Sequence, residues 1–137
     1  MPPAIWSRNV FQLAVADSEW RLRETHRLTR AQFERFFANR AVSVVVMEAC
    51  GSAHHWGRWF AARGHTALLI AAEFVVPFRK GGKNDTADAE AIAIAARQPT
   101  MRFVPIKTVD QQAILAWHSV REGWKEERTA LLNRMRG

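Results

Sequence analysis

Three carboxylates and a short basic loop are the residues of this chain whose types and spacing suggest chemistry. In the stretch KGGKNDTADAEAIAIAA, residues 80–96, two lysines and two glycines precede Asp85 and Asp88 at the head of an alanine-rich run. Residues i and i+3 share a helix face, so both carboxylates can point at one hard cation. The same geometry has an ordinary reading. Asp85 can be the helix N-cap, worth about 1 kcal/mol, and Asp88 the N3 residue whose charge complements the helix dipole. Local physics accounts for both residues without a ligand. Glu90 points away from this pair and is not a natural third ligand.

Glu48 is the third carboxylate. Alternation along Val42, Val44, Val46 and Glu48 puts them on one side of a strand. Glu48 then lies at the carboxyl end of that strand, the edge where open α/β sheets place their ligands; the ordinary alternative is a solvated strand end. Arg79, Lys80 and Lys83, with Gly81 and Gly82, form a loop suited to phosphate contact, although the spacing is not that of a Walker A motif. A solvated loop is the competing reading. His54 and His55 are adjacent, so on a helix they point about 100° apart and cannot chelate one ion together; they read as helix-surface or DNA-facing residues. Cys50 has no histidine–acid partnership in the sequence and reads as a small buried residue. The six tryptophans mostly fall at helix-core spacing.

The elements that must position these groups follow from periodicity and capping. Val10–Ala16 and Glu19–Arg27 flank the turn-like Asp17-Ser18 and predict a hairpin. Thr29, with Gln32 at the capping-box position, opens a helix that carries Phe33, Phe36 and Phe37 on one face and ends near Asn39. Ala41–Met47 reads as a strand, and its three consecutive valines predict cover on both faces. A helix from Ala53 to Arg63, closed by Gly64, and a buried strand Thr66–Ile70 complete a strand–helix–strand unit with a parallel pair. A short helix Ala72–Phe78, a helix Thr86–Arg97, an edge strand Met101–Pro105 and one long helix Thr108–Met135 follow. On the long helix Trp117, Trp124 and Leu131 recur every seven residues, a stripe for packing on its own domain, or on a missing domain or another chain.

The 137 residues suit one domain, and 48% apolar with 24% charged residues is globular rather than disordered composition. The longest apolar run, Thr66–Phe78, is broken by Glu73 and Pro77 and is too short to span a bilayer. The N-terminal residues lack a basic region followed by an apolar core, so no signal peptide is expected, and a single cysteine suits a reducing cytoplasm. The net charge of +7 favours a polyanionic partner, most often nucleic acid.

Taken together, MEACGSAHHWGRWF, KGGKNDTADAEAIAIAA and VPIKTVDQQAILAWHSVRE, in this order, resemble the N-terminal, RuvC-like domain of DEDD-type insertion-sequence transposases, the group related to the Piv invertases. The likeness runs from about Asn9 to the end. It implies an α/β fold with a ribonuclease-H-like mixed sheet flanked by helices over 1–106, followed over 107–137 by the start of a long linker helix. It implies DNA transposition as the function, four acids (Asp, Glu, Asp, Asp) that bind Mg2+, and DNA with a structured guide RNA as partners. Residue by residue, the Glu falls on Glu48 and the last two acids on Asp85 and Asp88.

Two departures accompany the resemblance. Aligned through Asn9 and Phe11, Ile5 stands where the family has its first Asp. The family's C-terminal domain with its nucleophilic serine has no counterpart here, which leads to the expectation of a truncated or remnant transposase that lacks strand exchange on its own. A non-catalytic nucleic-acid-binding module and a stand-alone ribonuclease-H-like nuclease are the alternatives, and association of copies through the long helix is a further expectation.

Overall fold

A computed structural model describes residues 10–79 and 85–137, with side chains omitted at Asp85 and Thr86. The chain divides into two compact units, Met1–Pro105 and Ile106–Gly137.

The first unit begins with a hairpin of β1 (Val10–Ala16) and antiparallel β2 (Leu22–Thr29). Their turn is built by Asp17, whose Oδ1 accepts hydrogen bonds from the Glu19 and Arg21 backbone N–H groups at 2.9 Å each and whose Oδ2 accepts from Arg23 Nε at 2.7 Å. Trp20 takes the left-handed conformation with φ 62°. This wide side-chain-stapled turn reaches Arg21, so β2 starts at Leu22 rather than at Glu19 as the sequence predicts. Thr29 then caps α1 (Arg30–Ala38) in a full capping box: Thr29 Oγ1 accepts from Gln32 N–H, and Gln32 Oε1 accepts from Thr29 N–H at 2.8 Å.

The second layer is the unit β3 (Val44–Glu48), α2 (Ala53–Ala61) and β4 (Thr66–Ile70), with β3 and β4 parallel and Glu48 opposite Ile70. Gly64 adopts φ +82° just past α2, and His65 N–H reaches back to the Phe60 carbonyl at 3.1 Å. That left-handed residue turns the chain straight into β4. A short α3 (Ala72–Val75) runs into a 3-10 turn (Val76–Phe78), then α4 (Asp85–Ala96), and β5 (Phe103–Val104) adds antiparallel to β4. The second unit is α5 (Val109–Arg136), opened by a second capping box between Thr108 and Gln111 and without a buried residue.

Two apolar clusters hold the first unit. One joins Phe33 and Phe37 of α1, Val45 of β3, and Trp56 and Phe60 of α2, with Phe11 of β1 stacked on Phe33 at 4.4 Å between ring centroids. The other, on the opposite side of β3–β4, joins Ile70, Val75, Ala91 and Ala95, with Val46 and Phe78 against it. The valine strand is therefore covered on both faces only towards its end: Val45 and Val46 pack, whereas Val42 and Val44 are 72% and 55% exposed.

Among the described residues the strands form two sheets, the antiparallel hairpin β1–β2 and the expected mixed sheet, here β3–β4–β5. Helix α4 packs against both β1 and β3, and between those strands runs a groove of about 520 Å³ bordered by Ala14, Ala16, Val44, Val46 and Ala93. The residues before Val10, on which the expected Asp-bearing strand and Ile5 fall, lie outside the described residues. His54 corrects the reading of a surface histidine, since it is 7% exposed on the inner side of α2, and Cys50 corrects the reading of a buried thiol, since the Cys50-Gly51 break carries it outward.

Phe60 is fully enclosed, so Phe60→Ala should lower the unfolding free energy by about 3–5 kcal/mol in urea titrations. The backbone N–H of Arg21, then Arg23 and the N–H of Glu19, hold the Asp17 carboxyl below its ordinary value of 3.8. Its contribution is complete above that ordinary value and is lost as pH falls through the lowered one. Acid unfolding followed by circular dichroism should accordingly show a shallower loss of stability below about pH 4 in Asp17→Asn than in the unsubstituted chain.

Candidate functional site

Glu48 is the last residue of β3, and it is the parallel register that gives it a setting. Ala49 N–H donates to the Ile70 carbonyl at 2.7 Å, so the two strands end together. Both chains leave the sheet at this edge, one into Cys50 and α2, the other into α3 and the 3-10 turn. Pro77 in that turn and the enclosed Val75 anchor the return path, which delivers Arg79 to the strand end that Glu48 occupies.

Arg79 is the centre of the site. Its Nη2 donates to Glu48 Oε2 at 2.8 Å, and its Nε lies 3.1 Å from Asp88 Oδ1. One guanidinium thus spans a carboxylate at the end of β3 and a carboxylate in the first turn of α4. Ala91 and Ala95 press α4 onto Ile70 and Val75, which sets the height of Asp88 relative to Glu48. All three side chains are partly solvated, with 38% exposure at Arg79, 32% at Glu48 and 44% at Asp88. Each such pair contributes about 0–1 kcal/mol, so the arrangement is an electrostatic setting more than a source of stability.

Of the sequence-derived candidates, Glu48 and Asp88 are brought together through Arg79. Asp85 opens α4, and its side chain lies outside the described residues, as do Lys80 and Lys83 entirely. The donors in view are carboxylate oxygens only, the ligand type a hard divalent cation such as magnesium takes. Two of them already converge on one cationic group, so they fit such an ion as part of an acidic set. Among the described residues no three His, Cys, Asp or Glu side chains gather into a metal-binding group. Of the His54-His55 pair, His54 is buried in α2, and the His55 ring lies edge-on to Trp56 at 5.4 Å.

The sequence pointed to Arg79 as a phosphate contact and did not signal its pairing with the acids. Glu48 lies 31 residues before it, and no periodic pattern links the two.

Comparison with known proteins places the chain in a family. The model of the DEDD-type IS110 family, described as a transposase, matches residues 9–137. A probable family 20 transposase of Pseudomonas aeruginosa is 46% identical over 131 residues, covering 96% of this chain and 39% of that protein. The transposase for insertion sequence element IS1111A of Coxiella burnetii is 44% identical over 131 residues, covering 96% of this chain and 36% of its own length. The transposase for insertion sequence element IS1328 of Yersinia enterocolitica is 43% identical over 109 residues, which cover 80% and 33% of the respective chains. The chain therefore spans between a third and two fifths of the length of these curated relatives. No solved structure matches it significantly.

Proposed function

This chain belongs to the DEDD-type IS110 transposase family, and from that membership we propose that it forms the acid-bearing, RuvC-like part of a transposase acting on DNA in the cytoplasm. The observation that carries the reading is the convergence of Glu48 and Asp88 on one cationic centre at the carboxyl edge of the parallel strands. In this reading Glu48, Asp88 and Asp85 hold a divalent cation, Mg2+ by the nature of the donors. Such an ion supplies charge stabilisation at a phosphodiester oxygen when it is bound. The protein's own share is positional. The β3–β4 register holds the Glu48 carboxylate at the open edge, α4 carries the aspartates to it, and Arg79, Lys80 and Lys83 supply positive charge for the nucleic-acid backbone. A structured RNA fits the same +7 surface as DNA does. The exposed Trp117, Trp124 and Leu131 of α5 support association with a second copy or with a further part of a longer transposase.

A nucleic-acid-binding module without catalysis is the second reading, favoured by Ile5 at the position where the family has an Asp and by a guanidinium lying between the two acids.

Manganese binding followed by electron paramagnetic resonance tests the first reading: Glu48→Gln and Asp88→Asn should each weaken it by about tenfold or more, and unchanged binding in both variants refutes it. Fluorescence anisotropy with a DNA duplex tests the contribution of the loop. Affinity should fall steeply with added salt, and Lys80→Ala with Lys83→Ala should weaken it and reduce its salt slope by about 1.8 for two lost phosphate contacts. A salt-independent affinity would count against both readings.

A further inference from the structure

We propose that Arg79 is a built-in counter-cation of the acidic site, which holds Glu48 and Asp88 together and must be displaced before a divalent cation can take both carboxylates. The inference rests on the metal-site reading above and goes beyond it by assigning to this arginine a competition with the ion.

Geometry comes first. Nη2 and Nε are different nitrogens of one planar group, and each meets a different carboxylate, at 2.8 Å to Glu48 and 3.1 Å to Asp88. The guanidinium therefore occupies the space between the two acids. An ion coordinated by Glu48 Oε2 and Asp88 Oδ1 would need the space that the guanidinium now fills, hydrogen-bonded to the first oxygen and ion-paired with the second. Oxygen ligands approach magnesium at about 2.1 Å, closer than either present contact, so the two cationic partners exclude one another at these atoms.

Charge points the same way. Two carboxylates facing one another with nothing between them repel, and the site lies at a sheet edge with only partial access to screening water. A permanently charged guanidinium relieves that repulsion at every physiological pH. Its position permits release as well. Arg79 immediately follows the 3-10 turn, takes an extended backbone (φ −72°, ψ 118°), and is 38% exposed, so its long side chain can swing out without disturbing Val75 or Phe78. Freed from the acids, the same fork is the group best shaped to grip a phosphate oxygen pair. Cation entry and backbone contact thereby become coupled events at one residue.

The strength of the competition follows from exposure. Two partly solvated pairs hold the arginine, so its removal should tighten metal binding by roughly tenfold and not by many orders of magnitude.

The test uses the 137-residue chain, Arg79→Gln, Arg79→Lys and Glu48→Gln, with Mn2+ binding read by electron paramagnetic resonance and confirmed by calorimetry with Mg2+. Arg79→Gln is expected to bind Mn2+ about tenfold more tightly than the unsubstituted chain. Arg79→Lys, which keeps the charge but not the planar fork, is expected to fall between them, and it serves where the glutamine variant folds poorly. Equal or weaker binding in both Arg79 variants, with binding still weakened in Glu48→Gln, overturns the counter-cation role and leaves the metal site standing. Absence of Mn2+ binding in every Arg79 form overturns the metal-site reading and this inference with it.

Discussion

Parallel pairing of Val44–Glu48 with Thr66–Ile70 is the constraint from which the arrangement of this protein follows. Parallel strands end on the same side, so the side chain that closes β3 and the chain that leaves β4 meet at one edge. The crossover through α2 makes that pairing possible and also brings Trp56 and Phe60 onto the aromatic side chains of α1. On the other face α4 seals Ile70 and Val75 and carries Asp88 to the same edge. Remove the register and Glu48, Arg79 and Asp88 lose any reason to be neighbours.

The two faces of β3–β4 divide the work. The aromatic face is large-ring packing, with Phe33, Phe37, Trp56 and Phe60 in edge-to-face contact and the buried His65 edge-on to both Phe37 and Phe60, its Nδ1 accepting from the Ser43 N–H at 3.2 Å. The opposite face is small-residue packing, where Ala91 and Ala95 let α4 lie close to the strands. Close approach there is what allows a short aspartate on α4 to reach a guanidinium that also touches the strand end. An acidic site built on a helix with bulkier core residues would stand farther from β3.

Charge at this edge is balanced rather than accumulated. Two carboxylates share one arginine in a chain that carries a net +7, and the neighbouring sequence adds Lys80 and Lys83.

Much of this was legible in the chain itself. The Thr29 capping box, the aromatic face of α1, the αL glycine after α2 and the order of elements are written in residues within a few positions of one another, where local propensity and periodicity act. Glu48 at a strand end and Asp88 in a helix's first turn were visible for the same reason. The wide turn at Asp17 to Arg21, the inward His54 and the outward Cys50 were not, since each depends on which way a segment turns once its neighbours are packed. Nor was the separation of the hairpin from the β3–β4–β5 sheet. The bridging of Glu48 and Asp88 by Arg79 belongs to this second class: it joins residues 48, 79 and 88 through a strand register, a proline-containing turn and a helix seated on alanines. By itself the sequence determined which residues carry charge and which local element holds each of them. Tertiary structure decided that the three meet, because a contact across 31 residues is set by the path of the chain between them and by no pattern within it.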